Sequence, residues 1–293
     1  MIWLGWRQQR TETLISAVVL ALVAALLVPT GIEMAHAYTR DGLSHCLTAS
    51  GPTCGNVLQS FHERFNKFDA LIGWFNLLPG LFGVALAAPF ALELERGTHR
   101  LAWTQSITRR RWVVTKLGLA VGSTLVAATV LIAILVWWRA PLVRLDGRMD
   151  NGAFDSQGTV ILGYSLFALG LALAIGALWR RGIPAVMVSF VAYFVARIFV
   201  DTWLRQRFLT PHKLTFTPGR SQPRVLDHAW MLSQHVNGIR SKFSPGPFGS
   251  EVVHVMYFPA SSFWTLQAIE TALFGGIGVA LVAFAAWWVL RSE

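Results

Sequence analysis

The 293-residue chain is 54% hydrophobic and only 14% charged, with a formal net charge of +10 and a mean hydropathy of +0.50. Soluble domains carry about a quarter charged residues, so this composition excludes a soluble globular protein. The chain has no nucleic-acid-binding motif, so the positive charge indicates membrane topology and contact with anionic lipids rather than binding to nucleic acid.

Six apolar segments are each long enough for a helix that crosses a membrane, which needs about 20 residues. They cover residues 13–36, 70–92, 112–138, 158–178, 183–203 and 263–290. Tryptophans, which favour the headgroup level, lie near many of their ends: Trp112, Trp137, Trp138, Trp179, Trp203, Trp264, Trp287 and Trp288. The chain is therefore predicted to be an all-α polytopic membrane protein, a single transmembrane domain over residues 1–293.

Short basic connections predict the orientation of these spans. In a six-span arrangement the following residues share one side of the membrane: Arg7, Arg10, Arg96, Arg100, Arg109, Arg110, Arg111, Lys116, Arg180, Arg181 and Arg291. Cytoplasmic loops carry an excess of Lys and Arg, so both termini are predicted to lie in the cytoplasm. The other side has more basic residues in total, but many of them lie in one long loop, where the rule has little force.

The first span also has features of a cleavable signal peptide. Basic residues precede its apolar run, and Ala35-His36-Ala37 follows it. The run continues toward Ile32, beyond the roughly 7–15 apolar residues of a typical signal. A retained helix is therefore favoured over cleavage.

The outer loop 37–69 contains both cysteines of the chain, Cys46 and Cys54. The outer side of the membrane is oxidising, so a disulfide between them is the favoured interpretation. A metal site with His45 or His36 is the alternative, but no second spaced pair of ligands supports it.

The long outer segment 204–262, between the fifth and sixth spans, contains one helical pattern. Apolar residues recur at steps of three and four, which predicts a short amphipathic helix; they are Val225, Ala229, Leu232, Val236 and Ile239.

Three charged residues lie within the predicted fifth and sixth spans. Arg197 and Asp201 are one turn apart near the outer end of the fifth span, and Glu270 lies at a similar depth in the sixth. Charge in lipid is costly and normally pairs or lines a wet cavity. We predict a pair of Arg197 with Glu270 or with Asp201, as a structural tie in preference to the lining of a transport path.

No motif in the sequence indicates catalysis. The chain lacks a G-x-x-x-x-G-K-[ST] loop, an H-E-x-x-H pair and a G-x-S-x-G elbow, so it has no P-loop nucleotide site and no zinc-protease or hydrolase signature. We therefore predict that the chain is not itself an enzyme and binds no metal or cofactor.

The segment 93–112, between the second and third spans, begins Glu93-Leu94-Glu95-Arg96-Gly97-Thr98 and ends Ser106-Ile107-Thr108-Arg109-Arg110-Arg111-Trp112. Taken alone, the arginine triplet is an ordinary cytoplasmic anchor. The whole segment, however, resembles the corresponding loop of ABC-2 type transporter permeases, in which E-x-x-x-G-T precedes an S/T-R-R-R motif. The start of the chain, 3–10, and the entry to the sixth span, 259–270, are similar to actinobacterial members of that family.

The resemblance implies a mechanism that the residues alone do not show. Such permeases act as exporters driven by a separate ATPase subunit that binds ATP and Mg²⁺, usually as two permeases with two ATPases in the cell membrane. Residues 93–112 would be the coupling loop on the ATPase and 1–12 an interfacial helix beside it. The expected coupling residues are Glu93, Glu95, Arg96, Gly97, Thr98, Arg109, Arg110 and Arg111.

The expected function is therefore outward movement of a hydrophobic or amphipathic substrate by a permease homodimer. A membrane sensor, regulator or assembly factor that transports nothing is the alternative. A lipid-processing enzyme is disfavoured because no acid–base or metal cluster is evident.

Overall fold

The structure, a computed structural model, describes residues 2–46, 52–98, 108–149, 154–216, 224–237 and 252–292. These residues form the helices α1 (Ile2–Arg40), α2 (Leu43–Cys46), α3 (Pro52–Phe75), α4 (Leu78–Arg96), α5 (Arg109–Asp146), α6 (Val160–Trp179), α7 (Gly182–Phe199) and α8 (Phe263–Arg291). Helix α7 continues through a π-helical turn, Val200–Leu204, and a 3₁₀ turn, Arg205–Arg207.

Six helices in the described residues are long and apolar enough to cross a membrane, as predicted. They are Gly5–Arg40, Gly73–Arg96, Arg109–Asp146, Val160–Trp179, Gly182–Arg207 and Ala260–Arg291. The architecture is thus that of an all-α polytopic membrane protein, and the orientation stays a prediction. No separate interfacial helix forms over 1–12, because residues 2–12 are the first turns of the continuous helix α1.

Local capping fixes the ends of the two helices that border the predicted coupling loop. Helix α4 stops at Gly97, whose φ of 67° lies in the left-handed region that glycine adopts freely. Helix α5 begins after Thr108, whose side chain accepts the backbone N–H of Arg111 at 3.4 Å. Residues 99–107, between the two caps, lie outside the described part of the chain.

The outer loop between the first two spans contains a helix that hydropathy did not predict, α3. Its Phe61 and Phe65 are buried and pack with α1 and α5 residues such as Leu27 and Leu131. Cys46 and Cys54 form a disulfide with a Cα–Cα distance of 5.4 Å, which joins α2 to the first turn of α3. The bond leaves neither thiolate for the alternative metal site.

Helix α6 is the central helix of the bundle. Of its most apolar stretch 78% is buried, against 22% for the corresponding stretches of α1 and α8. Glycines let its neighbours approach closely: a Cβ on Gly170 would lie 2.6 Å from the carbonyl oxygen of Gly278 in α8, and a Cβ on Gly83 in α4 would lie 2.4 Å from the carbonyl oxygen of Ser165.

Replacing Gly278 with valine is expected to force α8 away from α6. A Cβ there would lie 2.6 Å from the backbone carbon of Leu166, and overpacking of this kind costs about 1–3 kcal/mol. The matched control is Gly276→Val on the same helix, where no described atom lies within 4 Å of the added Cβ. Thermal unfolding in detergent should show a lower midpoint for Gly278→Val only; equal midpoints would contradict the close contact.

The outer segment forms a small antiparallel sheet rather than a helix. Strands β1 (His212–Phe216), β2 (Trp230–Asn237) and β3 (Val252–Phe258) are arranged in the order β1-β3-β2. Phe258 and Trp230 pack with Phe154 and Phe263 over the adjacent ends of α6 and α8. The sheet therefore covers the end of the bundle that the topology prediction places outside the cell.

The prediction of an amphipathic helix in this segment was wrong. His228 has a φ of 59°, which interrupts any helix before Leu232, and Leu232 and Val236 lie in β2; Ile239 is outside the described residues. Strand β3 supplies the competing hydrogen bonds, with Val253, Val255 and Tyr257 buried on one face. The alternation of β3 was the better signal, because buried strands repeat every two residues.

Two of the tryptophans interpreted as headgroup markers are buried instead. Trp138 is fully buried and its indole N–H donates to the hydroxyl of Thr30 at 3.0 Å. Trp112 is 4% exposed and stacks on Phe90 with ring centroids 5.8 Å apart. These two indoles pack inside the helix bundle.

Candidate functional site

Five buried side chains with ionisable or hydroxyl groups meet beneath the sheet, at the end of the bundle that the topology prediction places outside the cell. They come from the loop before α6, from α6, from α7, from the 3₁₀ turn of its extension and from α8. We call them, with the half-exposed Asp201 at their edge, the buried ion cluster: Asp155, Tyr164, Arg197, Arg205 and Glu270.

Arg205 is the centre of this cluster and is 2% exposed. Its Nε donates to Glu270 Oε2 at 2.9 Å and its Nη2 to Glu270 Oε1 at 2.9 Å, a two-pronged contact that suits the planar guanidinium. Nη2 also donates to Asp155 Oδ1 at 2.6 Å, and Nη1 donates to Asp201. One arginine thus binds three carboxylates from three segments.

Tyr164 lies between the two buried carboxylates. Its hydroxyl is in hydrogen-bond contact with Glu270 and, at 3.1 Å, with Asp155. A phenol has one proton to donate, so it can donate to only one carboxylate at a time. The hydroxyl in turn accepts a hydrogen bond from Arg205 at 3.2 Å.

Arg197 forms the second cationic contact of the cluster. Its Nη2 lies 3.3 Å from Asp155 Oδ2, and its guanidinium carbon lies 4.3 Å from the centre of the Tyr164 ring. Nη1 donates to the backbone carbonyl of Asn76 at the start of the second span. Arg197 therefore connects α7 to both α4 and the loop before α6.

The structure gathers all three predicted intramembrane charges, but it corrects their pairing. Arg197 pairs with Asp155 rather than with Glu270 or Asp201, and both of those carboxylates bind Arg205. The π-helical turn Val200–Leu204 adds a residue to the turn between these side chains. This turn brings Arg205 into the core, although hydropathy assigns it to the outer loop.

Arg205, Asp155 and Tyr164 are the functional residues that sequence reasoning missed. The sequence did contain a signal for Arg205, because Arg197, Asp201 and Arg205 follow one another at four-residue steps on one helical face. Asp155 lies five residues before the apolar stretch of α6, in a loop whose course no periodicity reveals.

The pairing balances the charges that the cluster holds inside the protein. Burial alone would raise the pKa of the Asp155 carboxyl, but the guanidinium groups of Arg205 and Arg197 outweigh it, so its pKa lies below the usual range. The stabilisation from this carboxylate is therefore complete at neutral pH and is lost only as the pH falls through the lowered pKa. Among the described residues, no group of three His, Cys, Asp or Glu side chains could hold a metal ion.

At the opposite end of the bundle, two of the predicted coupling residues, Glu93 and the exposed Glu95, make contacts with other helices of the protein. Glu93 forms an ion pair with Lys116 of α5, both side chains being almost buried, and Lys116 also donates to Gln8 of α1. Glu95 accepts the backbone N–H of Gly182 at 2.8 Å, at the start of α7. The end of α4 is thereby joined to α1, α5 and α7.

The other predicted coupling residues lie at the surface of that end. Arg96 and Thr98 are exposed beside Gly97, and Arg109, Arg110 and Arg111 are exposed in the first turn of α5. Positive charge at a helix N-terminus opposes the helix dipole. The charge of the arginine triplet is therefore unfavourable to the dipole of α5, and a role of the triplet toward a partner stays a prediction.

The family model described as "ABC-2 membrane transporter related" matches residues 17–205, well over half of the chain. The match includes the coupling segment and Asp155, Tyr164, Arg197 and Arg205 of the ion cluster. No curated protein and no solved structure matches the chain.

Proposed function

The chain belongs to the ABC-2 membrane transporter related family, and from this premise we propose that it is the permease subunit of an ATP-binding-cassette exporter. As a member of that family it is a multi-pass component of a membrane transporter. Beyond family membership, we propose that it works with a separate ATPase subunit, that transport is directed outward and that the substrate is hydrophobic or amphipathic. ATP and Mg²⁺ would bind to the ATPase, in an assembly of two permeases and two ATPases in the plasma membrane.

The linkage of four helices at the predicted cytoplasmic end carries the proposal. Glu93 connects α4 to α5 and, through Lys116, to α1, while Glu95 connects α4 to α7. A displacement of the segment 93–112 would therefore reach four spans at once. A permease that receives mechanical work from an ATPase needs such a rigid input.

The buried ion cluster supplies the corresponding rigidity at the outer end. Arg205 connects the α7 extension to α8 and to the loop before α6, so the outer ends of α6, α7 and α8 would move as one body. ATP-driven movement of the coupling segment would then tilt helices instead of pulling their ends apart. The substrate path would open between two copies of the chain.

Small residues on α5 support a surface for the second copy. No described atom lies within 4 Å of a Cβ added to Gly118 or Gly122, and glycines four residues apart allow close helix contact in lipid. Packing inside one copy does not bring any described atom against these two glycines. A homodimer would.

Purification with an ATPase tests the proposal directly. The tagged chain would be co-expressed with the ABC ATPases encoded in the same genome, one at a time, and extracted in mild detergent. We expect a complex with the mass of two permeases and two ATPases, whose ATP hydrolysis depends on this chain and stops when the P-loop lysine of the ATPase is replaced. Absence of a bound ATPase would overturn the proposal and favour the sensor or assembly role.

A further inference from the structure

A pocket of about 650 Å³ lies apart from both sites described above. It is bounded by the outer half of α5, the loop 157–159 and the beginnings of α6 and α8. Its volume falls within the range of ligand-binding pockets, roughly 300–1,000 Å³. Neither the coupling segment nor the buried ion cluster lines it.

One wall of the pocket is an apolar strip along α5. Ile132, Val136, Ala140 and Val143 follow one another at steps of three and four residues and therefore share a helical face. From Thr129 to Arg144 the lining extends over 16 residues of helix, a rise of roughly 22 Å between the first and the last at 1.5 Å per residue. A hydrocarbon chain fits this long, narrow surface.

The outer end of the same pocket is cationic. Arg144 and Arg148 line it, and the guanidinium of Arg148 lies 5.7 Å from the ring centre of Trp264, another lining residue. None of the described lining residues is acidic. An anionic group would find two arginines there, and arginine suits phosphate and carboxylate oxygens.

Gln157 adds a buried polar group to the lining. The residue is 5% exposed, and its side-chain amide nitrogen has no hydrogen-bond partner in the described part of the chain. The loop itself is held firmly, because the amide of Gln267 donates to the backbone carbonyls of Phe154 and Gln157 at 2.9 and 3.0 Å. Gln157 is thus a buried polar residue on a fixed loop beside the pocket.

The pocket is accessible from the side of the bundle. Val136 is 44% exposed and Trp264 is 56% exposed, so its lining reaches the surface that faces lipid. A ligand could enter from the membrane, apolar part first along α5, without crossing the helix bundle.

We propose that this pocket binds an anionic amphipath, with a phosphate or carboxylate headgroup on Arg144 and Arg148 and its hydrocarbon chain along α5. The site is assigned from its own geometry. If the occupant is the transported substrate, that identification rests on the proposed function. If the occupant is a resident lipid of the same chemistry, the site is independent of the proposed function.

Binding can be measured on the full chain purified in dodecyl maltoside, without an ATPase. The probe is n-dodecyl phosphate, and n-dodecyl phosphocholine, with the same chain but no net charge, is its comparison. We expect a saturable rise in the unfolding midpoint with the phosphate and at least a tenfold weaker response to the phosphocholine. Equal responses would overturn the headgroup assignment.

Variants test the two ends of the pocket separately. Arg144→Gln/Arg148→Gln should weaken n-dodecyl phosphate binding at least tenfold, whereas Arg40→Gln/Arg64→Gln, which removes two exposed arginines elsewhere on the same side, should not. Val136→Trp should block the apolar part, with Val130→Trp, on the same helix but outside the lining, as its control. Unchanged binding in both pocket variants would refute the site.

The two sources of the ligand are separated in a further step. If phosphatidylglycerol displaces n-dodecyl phosphate and the phosphate leaves ATP hydrolysis by the assembled complex unchanged, the occupant is a lipid. If the phosphate stimulates hydrolysis and Val136→Trp removes the stimulation, it is a substrate. Failure to find an ATPase would sink the proposed function but leave the binding result standing.

Discussion

Replacing Arg205 with alanine is expected to destabilise the protein by about 3–5 kcal/mol, the usual cost of removing one partner from a buried ion pair. Glu270, fully buried, would lose its cation, and Asp155 would keep only Arg197. The change should lower the unfolding midpoint in detergent and the yield of monodisperse protein. Fluorescence-detected size exclusion after heating measures both quantities.

Arg207 offers a matched control two residues away. It is exposed and stacks on Trp203 with its guanidinium carbon 3.6 Å from the ring centre, a contact that contributes about 0.5–1 kcal/mol at an exposed site. Arg207→Ala should therefore have a small effect. Equal losses in the two variants would show that Arg205 acts as a surface charge and not as the centre of the cluster.

A double variant tests the pairing itself. Glu270→Gln alone should destabilise less than Arg205→Ala, because Arg205 keeps Asp155 and Asp201. In Arg205→Ala/Glu270→Gln the loss should be smaller than the sum of the single losses, since no unpaired charge remains at Glu270. Strict additivity would contradict a direct bond between the two side chains.

The membrane spans could be predicted from sequence because lipid imposes a simple requirement on length and polarity. Helix α3 was not predicted by this criterion of length and polarity, because polar residues such as His62 and Arg64 alternate with its buried phenylalanines. The sheet was not predicted either, because β2 is stabilised by pairing with β3, which lies further along the chain. A membrane span can be recognised from one continuous stretch of sequence, whereas a pair of strands depends on residues far apart in the chain.

The ion cluster was predicted in part for a related reason. The cost of charge in lipid drew attention to Arg197, Asp201 and Glu270, but hydropathy gave no reason to look at Asp155 in a loop or Arg205 beyond the apolar run. The pairing depends on a π-helical turn and on how a loop folds back. Neither feature has a periodic signal in a single sequence.

The predicted coupling segment shows a different limit of sequence analysis, since a motif can mark a segment without showing what each of its residues contacts. The motif singled out this segment, but it could not tell that Glu93 and Glu95 accept bonds from other helices of the protein while the arginine triplet is exposed. Residues with contacts inside the protein and residues exposed at its surface stand side by side in the same motif. Only the contacts in the structure distinguish them.

Replacing Arg109, Arg110 and Arg111 together with alanine is expected to weaken binding of the ATPase about tenfold or more, equivalent to about 1.4 kcal/mol, and to abolish its stimulation. The stability of the permease alone should stay unchanged or rise slightly, because basic residues at a helix N-terminus are unfavourable by about 0.3–1 kcal/mol each. Pull-down titration and thermal unfolding measure the two effects. A large loss of stability would contradict a role toward a partner.

Topology provides the decisive control, because the same arginines also predict which side of the membrane this segment occupies. Thr98→Cys, at an exposed position in the same segment, can be labelled with an impermeant maleimide in intact and in permeabilised cells. In a coupling role the cysteine stays cytoplasmic in the alanine variant, and the triple lysine variant keeps its topology but couples poorly, since lysine lacks the planar fork of arginine. If the alanine variant instead exposes the cysteine to the outside, the triplet is a topological anchor, and the energy input must enter through other residues of the segment.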